Sequence, residues 1–287
     1  MRPGRPGRGT LLGVTDAFAL LDTWDVPNVA AAVVPAEGEK ETAGDIDRVF
    51  RIASVGKLLA GYAIMVGVEE GAVDLDDEAG PPGSTLRHLL AHTSGYGFDS
   101  TAGVMAEPGT RRIYSNRGIE EAAAHLERAT GMSFGDYLTE AVLEPLGMGA
   151  THLHGSPAQD VRSTVADLAS FARQLFAPTV LSPTGLAEMT SIQFPGLRGV
   201  LPNVGRFDPL DWGLTFERTF GRPGHWAGPS PSRETIGHFG GAGTFFWLDP
   251  VAGVAAVVLG DRDFGPWALQ VWPAFCTAVV ESVGVST

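Results

Sequence analysis

Where strand-like and helix-like apolar patterns fall along the chain most constrains the fold. Residues 28–35 are a Val/Ala run that reads as a buried strand, closed by a turn at Glu37-Gly38. A second short strand is expected within residues 48–52. From about residue 207, apolar segments at 212–217, 235–239, 244–248 and 254–259 are separated by Gly, Asp and Pro, as in an antiparallel meander. Between these two ends the apolar spacing is helical, over residues 54–70, 86–92, 119–130, 134–143, 164–176 and 182–189. Further helices are expected at 11–24 and 266–283. The pattern predicts an α+β fold, an antiparallel β-sheet flanked by helices with an inserted mainly helical lobe. The expected division is a disordered tail at 1–10, a sheet subdomain from 11–56 and 207–287, and a helical subdomain from 57–206.

Charge narrows the function. With 33 acidic and 20 basic residues the net charge is −13, which argues against nucleic acid or an anionic membrane as the main partner. No apolar run reaches the roughly 20 residues of a membrane-spanning helix. Arg2, Arg5 and Arg8 precede an apolar stretch that Thr15 and Asp16 interrupt, unlike the unbroken centre of a secretory signal, so the expected location is cytoplasmic. The single cysteine, Cys276, excludes an internal disulfide and a cysteine-built zinc site, and its apolar surroundings predict an inert, buried thiol.

Other titratable groups lack a site pattern. His152 and His154 have no third ligand at a metal spacing, and His88 and His92 lack the glutamate of a zinc-protease helix. The two latter histidines are expected to hydrogen-bond at a helix end. Asp74, Asp76, Asp77 and Glu78 read as a solvated turn rather than a calcium loop. With no phosphate loop or dinucleotide fingerprint either, no metal and no cofactor is expected, and the partner is a small molecule.

The chemistry concentrates in three short motifs. Ser54-Val-Gly-Lys57 puts a lysine one helical turn from a serine, where a desolvated amine with a lowered pKa can activate the hydroxyl. The chain has two lysines and fifteen serines, so about 0.1 such matches are expected by chance. Tyr114-Ser-Asn116 adds a hydroxyl able to shuttle a proton beside a cation and an amide able to bond both lysine and substrate. His238-Phe239-Gly240-Gly241, on an expected strand, offers glycines where a substrate can approach and an N–H that can complete an oxyanion hole.

In this order the three motifs resemble those of the class C β-lactamase and D-alanyl-D-alanine carboxypeptidase superfamily of serine hydrolases. The stretches at 88–95, 108–110, 144–148 and 237–241 resemble the same family, over roughly residues 12–280. The resemblance implies a β-lactamase/transpeptidase-like fold with Ser54 as the acyl-forming nucleophile and Lys57 as its base or relay. It makes Tyr114 the general base and acid, Asn116 a positioning residue and His238 the occupant of the third motif's cation position. The N–H groups of Ser54 and Gly241 would form the oxyanion hole.

Two positions depart from the specialised enzymes. Phe239 stands where the third motif carries a hydroxyl, and His238 is largely uncharged near pH 7. Both weaken recognition of a substrate carboxylate. Phe239, Trp212, Tyr96 and Phe98 are candidates for an apolar pocket, with core packing the plainer reading of each, and Arg111 and Arg112 are candidates for an anion site, with surface solvation the plainer reading. The expected activity is an esterase or amidase on a small ester or amide. The alternatives are a β-lactamase or D-alanyl-D-alanine carboxypeptidase, an acyltransferase, and a non-catalytic binding protein retaining the fold.

Overall fold

The computed structural model describes residues 13–284. The expected disordered tail at 1–10 lies outside the described residues. In chain order the strands are β1 (Val29–Pro35), β2 (Glu41–Ala43), β3 (Phe50–Arg51), β4 (Arg112–Ile113), β5 (His152–Leu153), β6 (Val161–Ser163), β7 (Gly199–Leu201), β8 (Gly205–Phe207), β9 (Ile236–Gly240), β10 (Thr244–Asp249) and β11 (Val254–Gly260). The helices are α1 (Val14–Leu21), α2 (Gly56–Glu69), α3 (Leu86–Leu90), α4 (Asn116–Thr130), α5 (Phe134–Leu138), α6 (Val165–Phe176), α7 (Pro183–Thr190) and α8 (Pro266–Ser282). The fold is α+β, as expected.

Five strands pair antiparallel in the order β2-β1-β11-β10-β9, so the main sheet joins the two ends of the chain. Both of its faces are covered. Alternate side chains of a strand point to opposite sides, and β1 divides accordingly. Ala30, Ala32 and Val34 enter a core with residues of α2 and α6, while Ala31 and Val33 enter one with α1 and α8. That double burial is why β1, β10 and β11 are apolar at nearly every position. A fully buried Val or Leu contributes roughly 1.5–3 kcal/mol. α6, from the middle of the chain, packs against β1 and β11. It starts where Thr164 Oγ1 accepts the Asp167 N–H, at 3.1 Å.

Several expectations need correction. Residues 212–217 are not a strand: they carry isolated bridges from Trp212 to Gln193 and Glu217, and a turn at Thr215 with φ +68° breaks the extended run. The short strand at 50–51 is outside the main sheet and pairs with β6. The helix expected over 134–143 changes at Thr139 into a π-helical turn, Thr139–Leu143. β2, β4 and the β7–β8 hairpin had no sequence signal. Among the described residues no helix is long and apolar enough to cross a membrane.

Candidate active site

A 3₁₀ turn, Ala53–Val55, leads directly into α2 and carries Ser54, which is half-buried. Ala53 sits at φ +47°, a left-handed conformation that costs a non-glycine residue about 1–2 kcal/mol. β9 closes against this turn. Thr244 Oγ donates to Ile52 O at 2.9 Å, and a methyl group on Gly240 would collide with that carbonyl and with the Thr244 hydroxyl. Gly240 therefore lets β9 approach the serine. Gly241, one residue on, is exposed with open space beside it.

Lys57 is fully buried one turn along α2. Its Nζ lies 3.1 Å from Ser54 Oγ, 2.6 Å from Asn116 Oδ1 and 2.7 Å from Ala158 O. Both shorter contacts end on carbonyl oxygens, so the amine must donate to them. A neutral amine has two N–H groups and one lone pair, and the lone pair is then left for the Ser54 hydroxyl. Burial pushes the Lys57 pKa down to about 7, against an opposing pull from Glu120. Asn116 is held in turn by Gln159, whose Oε1 accepts from Nδ2 at 3.1 Å.

Tyr114 follows β4 and is buried, with its hydroxyl 3.2 Å from His238 Nε2. The other ring nitrogen of His238, Nδ1, is 2.6 Å from Phe239 O. A carbonyl only accepts, so Nδ1 carries the proton, Nε2 is a lone pair, and the Tyr114 hydroxyl donates to it. Burial and the positive charge of Lys57 push the His238 pKa down to about 3, which keeps the ring neutral. Burial also pushes the Tyr114 phenol well up. The Lys57 amine lies 4.8 Å from the centre of the Tyr114 ring, where an ammonium is favoured.

The structure thus brings Ser54, Lys57, Tyr114, Asn116 and His238 together, with Gly240 and Gly241 beside the serine. Phe239 is different. It is 7% exposed, and its ring packs on Phe264 and Trp226 in the aromatic core. Tyr96 and Trp212 are also buried, whereas Phe98 is 46% exposed and stacks on Tyr114 at 6.1 Å. The same loop exposes Val104 and Met105. Arg112 is not surface-solvated but 2% exposed, donating to the carbonyls of Leu210, Ala91, Gln193 and Phe194. Burial lowers its pKa to about 10.

Sequence reasoning missed three participants. The Ala158 carbonyl and Gln159 lie in a loop with no local signature. His92, expected at a helix end, is buried against the Tyr114 ring with centroids 4.6 Å apart. Its Nδ1 accepts the Ser115 N–H at 3.3 Å, and its Nε2 has no partner among the described residues. Among the described residues, no three His, Cys, Asp or Glu side chains are grouped to hold a metal ion.

A protein-family model described as "Beta-lactamase" matches residues 20–274. The chain belongs to that family. It is 51% identical to a β-lactamase, Mb2281c, from Mycobacterium bovis, whose structure superposes with a TM-score of 0.91 over 94% of this chain and 100% of that one. It is 29% identical over 158 residues to the D-alanyl-D-alanine-carboxypeptidase/endopeptidase AmpH of Escherichia coli K12. That match covers 42% of this chain and 41% of the AmpH chain, so the chain spans about two fifths of the length of this curated relative. A D-amino acid amidase from Ochrobactrum anthropi SV3 shares the fold at TM-score 0.76 and 22% identity, over 94% of this chain and 98% of that one.

Proposed function

We propose that this chain hydrolyses small, uncharged esters or amides through an acyl-enzyme on Ser54. The observation that carries the reading is the neutral His238, whose Nε2 lone pair faces the Tyr114 hydroxyl at 3.2 Å. A cation at that position would attract a substrate carboxylate, and an accepting imidazole does not. The buried ring of Phe239 likewise supplies no hydrogen bond to a carboxylate.

The chemistry follows from the proton positions. Neutral Lys57 takes the Ser54 proton as Oγ attacks the carbonyl carbon. The resulting ammonium is held by Asn116 Oδ1, Ala158 O and the face of the Tyr114 ring. The N–H groups of Ser54 and Gly241 stabilise the oxyanion. Tyr114, still protonated, gives its proton to the leaving alcohol or amine and recovers it from Lys57. Water then enters by the reverse path and frees the acid. Exposed Phe98, with Val104 and Met105 on its loop, gives the acyl or alcohol group an apolar wall.

A second reading, β-lactam hydrolysis, is supported by the 51% identity to the M. bovis β-lactamase. An acyltransferase would use the same machinery with an alcohol or amine in place of water. The test is turnover of p-nitrophenyl butyrate and of nitrocefin by wild type and Ser54→Ala. Ester turnover that falls by about 10³-fold or more in the variant, with nitrocefin the poorer substrate, supports the proposal. Preferred nitrocefin turnover moves the assignment to the second reading, and ester turnover untouched by the substitution refutes the Ser54 mechanism.

A further inference from the structure

The small sheet β4-β7-β8 carries a hollow of about 460 Å³ with three arginines and one carboxylate in its lining. Arg111, Arg198 and Arg206 line it together with Asp208, Val200 and Phe207. The register explains the clustering. Arg112 pairs with Gly199 in parallel, which sets Arg111 and Arg198 side by side, and Arg206 lies opposite Val200 on the next strand. Like charges on neighbouring strands repel. None of the three guanidinium groups makes an ion pair or a side-chain hydrogen bond among the described residues, although the chain as a whole carries −13. A second arginine-lined hollow, with as many carboxylates as arginines, contrasts with this one. There Arg48 and Arg51 are matched by Asp261 and Asp263, and Arg48 pairs with Asp261 at 3.7 Å.

We infer that the Arg111–Arg198–Arg206 hollow is a binding site for an organic phosphate monoester. Planar guanidinium groups match phosphate oxygens in charge and geometry. The hollow is larger than a bare phosphate needs, and exposed Val200, which pairs with Arg206 on the same face, offers the organic part an apolar contact. Arg112 and Tyr114 are buried while Arg111 is exposed, so strand alternation turns the hollow away from the face of β4 that carries Tyr114. The inference is independent of the ester-hydrolase reading.

The test is calorimetric titration of phenyl phosphate into wild type, Arg198→Ala, Arg206→Glu and Ser54→Ala. All three replaced side chains are at least partly exposed, and circular dichroism checks the fold. Saturable one-to-one binding by wild type and Ser54→Ala is expected, weakened about tenfold or more in both arginine variants. Inorganic phosphate should bind more weakly than phenyl phosphate. Ester turnover unchanged at saturating phenyl phosphate is expected of a hollow on the other face of β4, and competitive inhibition would place the phosphate at Ser54 and overturn the inference. Absent saturation, equal affinity in the arginine variants, loss of binding in Ser54→Ala, or equal affinity for inorganic phosphate would each overturn the inference.

Discussion

The hydroxyl of Tyr114 donates to Nε2 of His238 at 3.2 Å, and the Phe239 carbonyl, 2.6 Å from Nδ1, fixes which nitrogen is free to accept. Tyr114 is therefore protonated at rest, and in the proposed mechanism Lys57 is the base and Tyr114 the acid. Replacing His238 by Phe removes the acceptor while filling similar space. A 10- to 100-fold fall in kcat is expected, roughly the scale of a misdirected acid, with KM for a neutral ester little changed. Steady-state kinetics on ethyl butyrate, whose alkoxide must take a proton to leave, checks it, with p-nitrophenyl butyrate much less affected.

Acting as a neutral amine, Lys57 should make activity rise with pH through about 7, where its folded pKa lies. The sign of the stability effect follows from the same shift. The unfolded chain keeps the lysine proton up to 10.5 and the folded chain only up to about 7, so unfolding takes up a proton between these values. Stability contributed by this group therefore increases with pH across that window. Below pH 7 both states hold the proton and the burial cost is felt in full. Tm of wild type against Lys57→Met between pH 6 and 9 should show the gap moving in favour of wild type as pH rises.

Gly240 allows β9 to reach the serine turn. Gly240→Ala forces its methyl group onto the Ile52 carbonyl, and the expected destabilisation is about 1–3 kcal/mol. The fall in kcat should exceed what that loss of folded protein explains. Urea unfolding alongside kinetics at a temperature where the variant stays folded separates the two.

Arg112 ties four loop carbonyls beneath the Tyr114 segment. Arg112→Met leaves them unsatisfied in a buried place, each at a cost of about 1–3 kcal/mol if no water enters. Chemical denaturation should show a loss of several kcal/mol, among the largest of any single substitution here.

Phe98 is the exposed aromatic beside Tyr114. Phe98→Ala is expected to raise KM for a butyrate ester several-fold and for an acetate ester little, because only the longer chain reaches the lost ring. A chain-length series of p-nitrophenyl esters measures this.

Much of the site was legible because its chemistry is written in short spacings. Ser54 and Lys57 sit one turn apart, and Tyr114 and Asn116 two residues apart, so local geometry alone brings each pair close. The partners that set the protonation states were not legible. The Ala158 carbonyl reaches Lys57 across 101 residues, and any residue there would supply the same atom. His238 was found as a motif residue, but its tautomer depends on the Phe239 carbonyl, which tertiary structure positions. From sequence Phe239 and Trp212 are pocket candidates with core packing the plainer reading, and both are buried among aromatic side chains, as the plainer reading has it. In the fold, the runs buried on both faces of the main sheet were plain, whereas residues 212–217 matched a strand in composition and failed at the Thr215 turn.

The most direct test of the acyl-enzyme account is intact-mass spectrometry of the protein quenched in acid during turnover of p-nitrophenyl butyrate, followed by peptide mapping. The account predicts one added butyryl group on the peptide containing Ser54, present in wild type and absent in Ser54→Ala. Its accumulation rate should increase with pH through about 7, as the Lys57 amine loses its proton. Rapid ester turnover with no adduct on that peptide, or the same adduct in the Ser54→Ala protein, would contradict it.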